Sequence, residues 1–305
     1  MSALSAAQVR IAQAVTRGTV RTDEPMARHT TFAIGGPADV YIEPADEDEL
    51  VDVLRAVHAA GEPLTVLGGG SNVLVGDGGI RGVTICLRRL AQPLAVSGTV
   101  MRAGGGIRMQ RVSTLAARQG LSGLEFAVGI PGTLGGGVWM NAGAYGGEMS
   151  TVVTEVTAVT RTGERVSYSG RELAFGYRHS VFQDTGDLVT SVAMVLVPDE
   201  AAAIRARMDD YTARRRHKQP LEYPSAGSTF KRPPGYFAGT LIDETGLKGL
   251  TVGGAQVSTR HAGFVINRHG ATAADVKALI ALVQEKIMAA HGVYLEPEVR
   301  MIGDD

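Results

Sequence analysis

Two glycine-rich stretches carry the first chemistry legible in this chain. One is Gly68-Gly69-Gly70-Ser71-Asn72. The other runs Gly129-Ile130-Pro131-Gly132-Thr133-Leu134-Gly135-Gly136-Gly137 and continues through Asn141-Ala142-Gly143-Ala144-Tyr145-Gly146-Gly147. Backbone N–H groups reach a diphosphate only where no Cβ intervenes, and successive N–H groups in such turns form a concave anion site. Neither stretch follows G-x-G-x-x-G between a strand and a helix, and G-x-x-x-x-G-K-[ST] is absent. Strand-packing turns would account for either stretch alone. Together, about sixty residues apart, they point to an anionic cofactor between two lobes. The densest basic run, Arg214-Arg215-Arg216-His217-Lys218, reads as a solvated helix end, with an anion clamp as the alternative. The single cysteine, Cys86, lies in the apolar run Val83-Thr84-Ile85-Cys86-Leu87 and reads as a buried strand residue. One cysteine excludes an internal disulfide and a multi-cysteine metal cluster, and no metal site is expected.

The elements that must position these loops follow from periodicity and caps. Asp46 with Glu49 resembles an N-cap pair, Leu50, Val53, Leu54 and Val57 repeat at helical spacing, and Gly61 is a stop. Short strands at 64–67 and 82–87 flank the first glycine loop, so residues 40–87 describe a small α/β unit. The first twenty residues have poor caps and predict a short helix or an arm. Beyond residue 94 short strands dominate, with a helix at 108–119, a hairpin turning at Thr162-Gly163, and an extended strand over 188–198. A helix is expected from Asp199 to His217, with Ile204, Met208 and Tyr211 on one face. The last third predicts strands near Thr240–Ile242 and Gly263–Asn267. A helix follows, with Thr272 and Asp275 as its capping pair, Val276, Leu279, Ile280, Val283 and Ile287 as its buried stripe, and Gly292 as its stop. The segment 298–302 is strand-like.

The chain has 305 residues, of which 44% are hydrophobic and 20% charged, with net charge −1. This balance fits a globular protein of two or three lobes and excludes a global basic field for nucleic acid. Forty glycines, clustered without a repeat period, mark particular loops. No secretory signal opens the chain and no apolar run approaches the ~20 residues of a membrane span, so a cytoplasmic location without membrane association is expected.

The motif order resembles the UDP-N-acetylenolpyruvoylglucosamine reductase family, within the vanillyl-alcohol-oxidase-like flavoprotein fold. The likeness is carried by Thr31-Phe32-Ala33-Ile34-Gly35-Gly36-Pro37-Ala38-Asp39, by 68–74 and 129–147, and by Phe175-Gly176-Tyr177-Arg178-His179-Ser180-Val181-Phe182. It continues in Pro224-Ser225-Ala226-Gly227-Ser228-Thr229-Phe230-Lys231, in Leu247-Lys248-Gly249, and in Leu295-Glu296-Pro297-Glu298-Val299-Arg300. It covers residues 20 to 303, and the space at 183–190 matches the shorter subtype. The resemblance implies an α+β, three-lobed chain: a two-part FAD-binding module (1–88, to which 298–305 returns, and 89–200) and a C-terminal α+β substrate-binding domain (201–297).

The implied activity is NADPH-dependent, FAD-mediated reduction of UDP-N-acetylglucosamine enolpyruvate to UDP-N-acetylmuramate, a step of peptidoglycan precursor synthesis. The implied FAD-binding residues are Gly68, Gly69, Gly70, Ser71, Asn72, Gly129, Ile130, Pro131, Gly132, Gly135, Gly136, Asn141, Ala142 and Gly143. Hydride addition to the enolpyruvyl ether develops charge on the conjugated carboxylate, so a cation and a proton donor are required. The resemblance gives Arg178 the first role, Ser228 the second, and Glu298 a neighbouring role as acid or hydrogen-bonding partner. Periodicity does not separate Glu298 from Glu296 two residues away; the family pattern selects Glu298. Two carboxylates sharing a site require one to hold a proton. Tyr177, Lys218, Lys248, His261 and Arg300 match substrate-binding positions, while Arg232 stands where some relatives carry Asn. No obligate protein partner is implied. Two rival readings are a flavin oxidase of the same fold, which would often tether FAD through His or Cys, and a nucleotide-sugar-binding module without catalysis.

Overall fold

The computed structural model describes residues 4–305. Helices form where the sequence supplies both ends. Helix Glu47–Ala60 starts at Asp46, whose carboxylate accepts the Glu49 N–H at 3.0 Å, and stops at Gly61 with φ 64°. Its stripe of Leu50, Val53, Leu54 and Val57 is buried. The expected cap pair is only half made. Instead of bonding back to Asp46, the buried Glu49 carboxylate accepts the N–H groups of Thr16, Arg17 and Ala45, each at 2.7 Å. Helix Ala273–His291 closes the Thr272–Asp275 box and ends at Gly292 (φ 67°).

Two segments differ from expectation. Helix Ala6–Gln13 is well capped, because Ser5 and Gln8 form a reciprocal capping box. Residues 240–242, expected as strand, belong to helix Ala238–Glu244. Ala238, Leu241 and Ile242, spaced i, i+3, i+4, all face an apolar core. Two adjacent apolar residues, Leu241 and Ile242, are compatible with either period, and burial of the stripe they form with Ala238 decides it.

The chain forms two compact units from interleaved segments. The first comprises the chain up to Thr22, Val40–Gly69 and Gly82–Arg214; the second comprises Asp23–Asp39, Gly70–Arg81 and Arg215–Asp305. In the first unit, five antiparallel strands lie in the order Arg165–Ser169, Val153–Val159, Leu188–Val195, Val100–Gly104, Leu94–Ser97. The hairpin expected at Thr162-Gly163 pairs Glu155 with Ser169 and Val159 with Arg165. A core of Met101, Val112, Phe126, Leu134, Val156 and Val192 backs this sheet. Strand Leu64–Leu67 runs parallel to Ile80–Cys86, Leu64 opposite Val83 and Leu67 opposite Cys86. Cys86 is buried, as its apolar run predicts. Helix Ala201–Lys218 buries Ile204 and Met208, while Tyr211 is half-buried.

The second unit has a three-stranded antiparallel sheet, Thr251–Val252, Ala255–Val257 and Val265–Asn267. Helix Ala273–His291 packs into its core, with Val276, Leu279 and Ile280 among Val257, Val265, Phe32, Ile34 and Leu74. The closing strand Arg300–Ile302 lies parallel to Val73–Val75. Among the described residues, no helix is long and apolar enough to cross a membrane.

Candidate active site

Within the first unit the two glycine stretches meet backbone to backbone. A Cβ on Gly69 would lie 2.4 Å from Gly132 Cα, and one on Gly68 would lie 2.5 Å from Thr133 Oγ1. Only glycine permits this approach. Gly132 also has φ 108°. Gly70, with φ 64°, belongs to the second unit, and a Cβ there would strike the His29 carbonyl at 1.9 Å. Among the described residues, the N–H groups of Gly69 and Gly70 have no protein acceptor. Orphan donors on a side-chain-free turn suit the diphosphate of a dinucleotide, so Gly68, Gly69 and Gly70 fit FAD. Ser71 and Asn72 continue this loop, half-buried. Gly129, Ile130 and Pro131 lead from a short 3-10 turn into Gly132, and Gly135 and Gly136 lie in helix Leu134–Trp139.

Asn141, Ala142 and Gly143 reach the Arg178 turn instead. Asn141 is buried with φ 42°; its amide donates to Gly176 O at 2.9 Å and its Oδ1 accepts the Ser150 N–H at 2.9 Å. Both ends of that amide serve the protein, so Asn141 holds the turn. Gly176 and His179 bridge a two-residue turn with Tyr177 and Arg178 at its tip. Arg178 is not a strand residue: it sits at φ 55°, a left-handed conformation costing a non-glycine residue on the order of 1 kcal/mol or more. The Gln183 amide donates to the Arg178 carbonyl at 2.9 Å, Ser180 donates to Trp139 O at 2.8 Å, and the guanidinium donates to Gly143 O at 3.3 Å. The surrounding bonds fix this conformation. Tyr177, under the guanidinium at 5.2 Å, is exposed.

In the second unit the Ser228 and Glu298 segments pair. The Glu298 N–H donates to Thr229 O at 2.8 Å, Phe230 bridges Pro297, and the Lys231 N–H donates to Glu296 O at 2.9 Å. Asn72 joins the same web: its amide donates to Glu298 O at 3.1 Å and its carbonyl accepts the Arg300 N–H at 2.9 Å. Ser228 is exposed beside Gly227, whose φ is 78°. The two glutamates, inseparable by spacing, now differ. Glu296 is exposed and paired with Lys231 Nζ at 2.6 Å, whereas Glu298 is half-buried.

Three predicted substrate residues share one electrostatic neighbourhood. Burial, then the charges of Lys248 and Lys218, hold the His261 imidazole below its ordinary pKa. Its Nδ1 accepts the Gly263 N–H at 3.1 Å, which fixes the proton on Nε2 when neutral, and its ring meets Phe264 edge-on at 4.9 Å. Lys248 is tethered to Asp243 at 2.6 Å; Lys218 is the exposed last residue of its helix. Two ammonium groups beside a neutral imidazole suit an anion. Arg300 is exposed on the closing strand.

Two positioning features escaped the sequence reading. Arg88 donates to Gly69 O at 2.8 Å, and the third glycine run, Gly104-Gly105-Gly106, accepts the Gly135 N–H at Gly105 O, 2.8 Å. The signal for the second was an uninterrupted glycine triplet; for the first, a basic pair directly after a buried strand.

Residues 38–169 match the FAD binding domain family, and residues 219–302 match the C-terminal domain family of UDP-N-acetylenolpyruvoylglucosamine reductase. The chain is 48% identical over 286 residues to the UDP-N-acetylenolpyruvoylglucosamine reductase of Geobacillus kaustophilus (strain HTA426), covering 94% of each chain. It is 48% identical over 295 residues to that of Pediococcus pentosaceus (strain ATCC 25745 / CCUG 21536 / LMG 10740 / 183-1w), covering 97% of this chain and 98% of the relative. The crystal structure of the Thermus caldophilus reductase superposes with TM-score 0.80 at 37% identity, over 93% of this chain and 98% of that one. Alkyldihydroxyacetonephosphate synthase, at 18% identity and TM-score 0.50 over 64% of this chain and 41% of that one, shares the fold alone. With this near full-length agreement, the chain belongs to the UDP-N-acetylenolpyruvoylglucosamine reductase family.

Proposed function

We propose that this protein reduces UDP-N-acetylglucosamine enolpyruvate to UDP-N-acetylmuramate in the cytoplasm, with noncovalent FAD as cofactor and NADPH as hydride source. The carrying observation is 48% identity over 94% of both chains to a reductase of that name. Bound FAD would take hydride from NADPH and supply it to the substrate alkene. Gly68, Gly69, Gly70, Ser71, Asn72, Gly129, Ile130, Pro131, Gly132, Gly135, Gly136, Ala142 and Gly143 are assigned to FAD through their backbone or short side chains, and Asn141 through the turn it orders. Residues 1–88 and 89–200 are read as the two cofactor lobes and 201–297 as the substrate domain.

The remaining steps belong to side chains. Arg178 neutralises the substrate carboxylate as charge develops on it, a role its constrained turn supports, since a fixed cation needs no reorganisation during reaction. Ser228 gives a proton to the carbon adjoining that carboxylate. Glu298 hydrogen-bonds the same carboxylate, and its backbone pairing with Thr229, next to Ser228, supports a shared task. Lys218, Lys248 and neutral His261 receive the diphosphate, with Tyr177 and Arg300 as further substrate contacts.

A visible spectrum tests the whole reading. Purified protein should be yellow, bleach on NADPH under anaerobic conditions, and recover its colour on adding the enolpyruvyl substrate. Recovery with oxygen but not with that substrate would favour the oxidase reading. A colourless protein that binds UDP-sugar would favour the binding module.

A further inference from the structure

The loop carrying Ser228 is pinned at its downstream end by Thr229. The Thr229 N–H donates to Gly263 O at 2.9 Å, its Oγ1 accepts the Val265 N–H at 2.9 Å, and its carbonyl accepts the Glu298 N–H at 2.8 Å. The upstream end is held by the same strand, where Ser225 bridges Ile266 and the Asn267 N–H donates to Pro224 O at 2.9 Å, and by a second partner, Thr31. Thr31 grips Ser225 at two points: the Ser225 N–H donates to Thr31 O at 3.1 Å, and the Thr31 hydroxyl donates to Ser225 O at 2.7 Å. The Thr31 N–H donates in turn to Gly70 O at 2.9 Å. One residue therefore joins the glycine turn to the serine loop. Thr31 is exposed, flanked by buried Thr30 and Phe32, so its hydroxyl contributes nothing to the core.

Between the two pins lie only Ala226, Gly227 and Ser228. Ala226 is buried in the core, whereas Gly227 has a positive φ and nothing within 4 Å of where a Cβ would be, so the freedom left to Ser228 lies at Gly227. The setting of Ser228 then depends on the two ends. We infer that Thr31 is a positioning residue for proton delivery: its hydroxyl bond to Ser225 sets the Ser228 loop relative to the Gly70 turn. This rests on the reading of Ser228 as proton donor.

Thr31→Val keeps size and backbone bonds and removes one hydrogen bond, whose net worth corresponds to about five- to tenfold in rate. In FAD-loaded protein, stopped-flow absorbance should show NADPH bleaching the flavin at the wild-type rate. Reoxidation at saturating enolpyruvyl substrate should slow about five- to tenfold, and Thr31→Ser, which restores the hydroxyl, should recover it. The double variant Thr31→Val with Ser228→Ala should be no slower than Ser228→Ala alone, because Thr31 acts through Ser228. Wild-type reoxidation in Thr31→Val, equal slowing of both half-reactions, failure of Thr31→Ser to rescue, or multiplied losses in the double variant would each overturn the inference. If Ser228→Ala itself reoxidised at the wild-type rate, the proton-donor reading would fall first. Circular dichroism and bound-flavin content of Thr31→Val should match wild type; lost flavin would also count against the assignment.

Discussion

At position 228 a hydroxyl stands exposed on a loop whose neighbours make the structural bonds, so its removal takes away a proton and no support. Ser228→Ala should melt as wild type, let NADPH bleach the flavin, and slow substrate reduction by about 10²–10⁴-fold, measured by single-turnover absorbance. His261 offers a test of a different kind. Burial and the charges of Lys248 and Lys218 depress its pKa, so its NMR titration should fall below that of an exposed histidine. Lys248→Met should move it upward, and so should UDP, whose phosphates would offset the lysine charges. No change in either experiment would place the lysines outside its field. Ser228 and Lys248 were proposed because each lies in a short motif that resembles the family's, whereas His261 lies in none of those motifs. The left-handed conformation of Arg178 was not legible, because no glycine marks the spot and the turn is held through distant partners: Asn141 bonds Gly176, and Ser180 and Gln183 bond the Trp139 carbonyl. Likewise, spacing left Glu296 and Glu298 equivalent; their burial and the Lys231 pair of Glu296 distinguish them.

Among the elements, helix Glu47–Ala60 contributes more than a buried stripe. Burial tends to raise the Glu49 pKa, but the N–H groups of Ala45, Arg17, Thr16 and Gly18 overcome this and hold it at about 2. A carboxyl depressed in the folded state stabilises the fold above its unfolded pKa, and that stability fades as pH falls through the folded value. Here the loss should run from about pH 4.5 down to about 2. Glu49→Gln should cost on the order of 2 kcal/mol at pH 7 by urea denaturation, with a difference from wild type that shrinks across this window. A difference constant with pH would contradict the assignment. The sequence announced this helix through Asp46, Gly61 and its 3.6-residue stripe, but not the loop its glutamate gathers, because that partnership spans more than thirty residues. The short helix Ala238–Glu244 was read as strand for want of length: three apolar residues cannot declare a period.

For the molecule as a whole, chain order conceals how the second unit is assembled. Phe32, Ile34 and Leu74 enter its core from two early segments, while the rest of that core comes from beyond residue 215. Local patterns could reveal the α+β class and the family motifs, but not this interleaving, which depends on contacts two hundred residues apart. A fragment of residues 215–305 would lack three core side chains, each contributing about 1.5–3 kcal/mol by burial, against a typical domain stability of about 5–15 kcal/mol. It should show no cooperative thermal transition by circular dichroism, whereas the full chain should. A sharp transition in the fragment would mean that the early segments are dispensable.

The isolation of Cys86 has a practical use. Its thiol is buried and, chiefly through desolvation, pushed above its ordinary pKa, so it resists maleimide and iodoacetamide. A cysteine introduced at an exposed position such as Tyr236 (48% exposed) would therefore be the single thiol to label. A dye could then be attached at one chosen surface position without first replacing the natural cysteine.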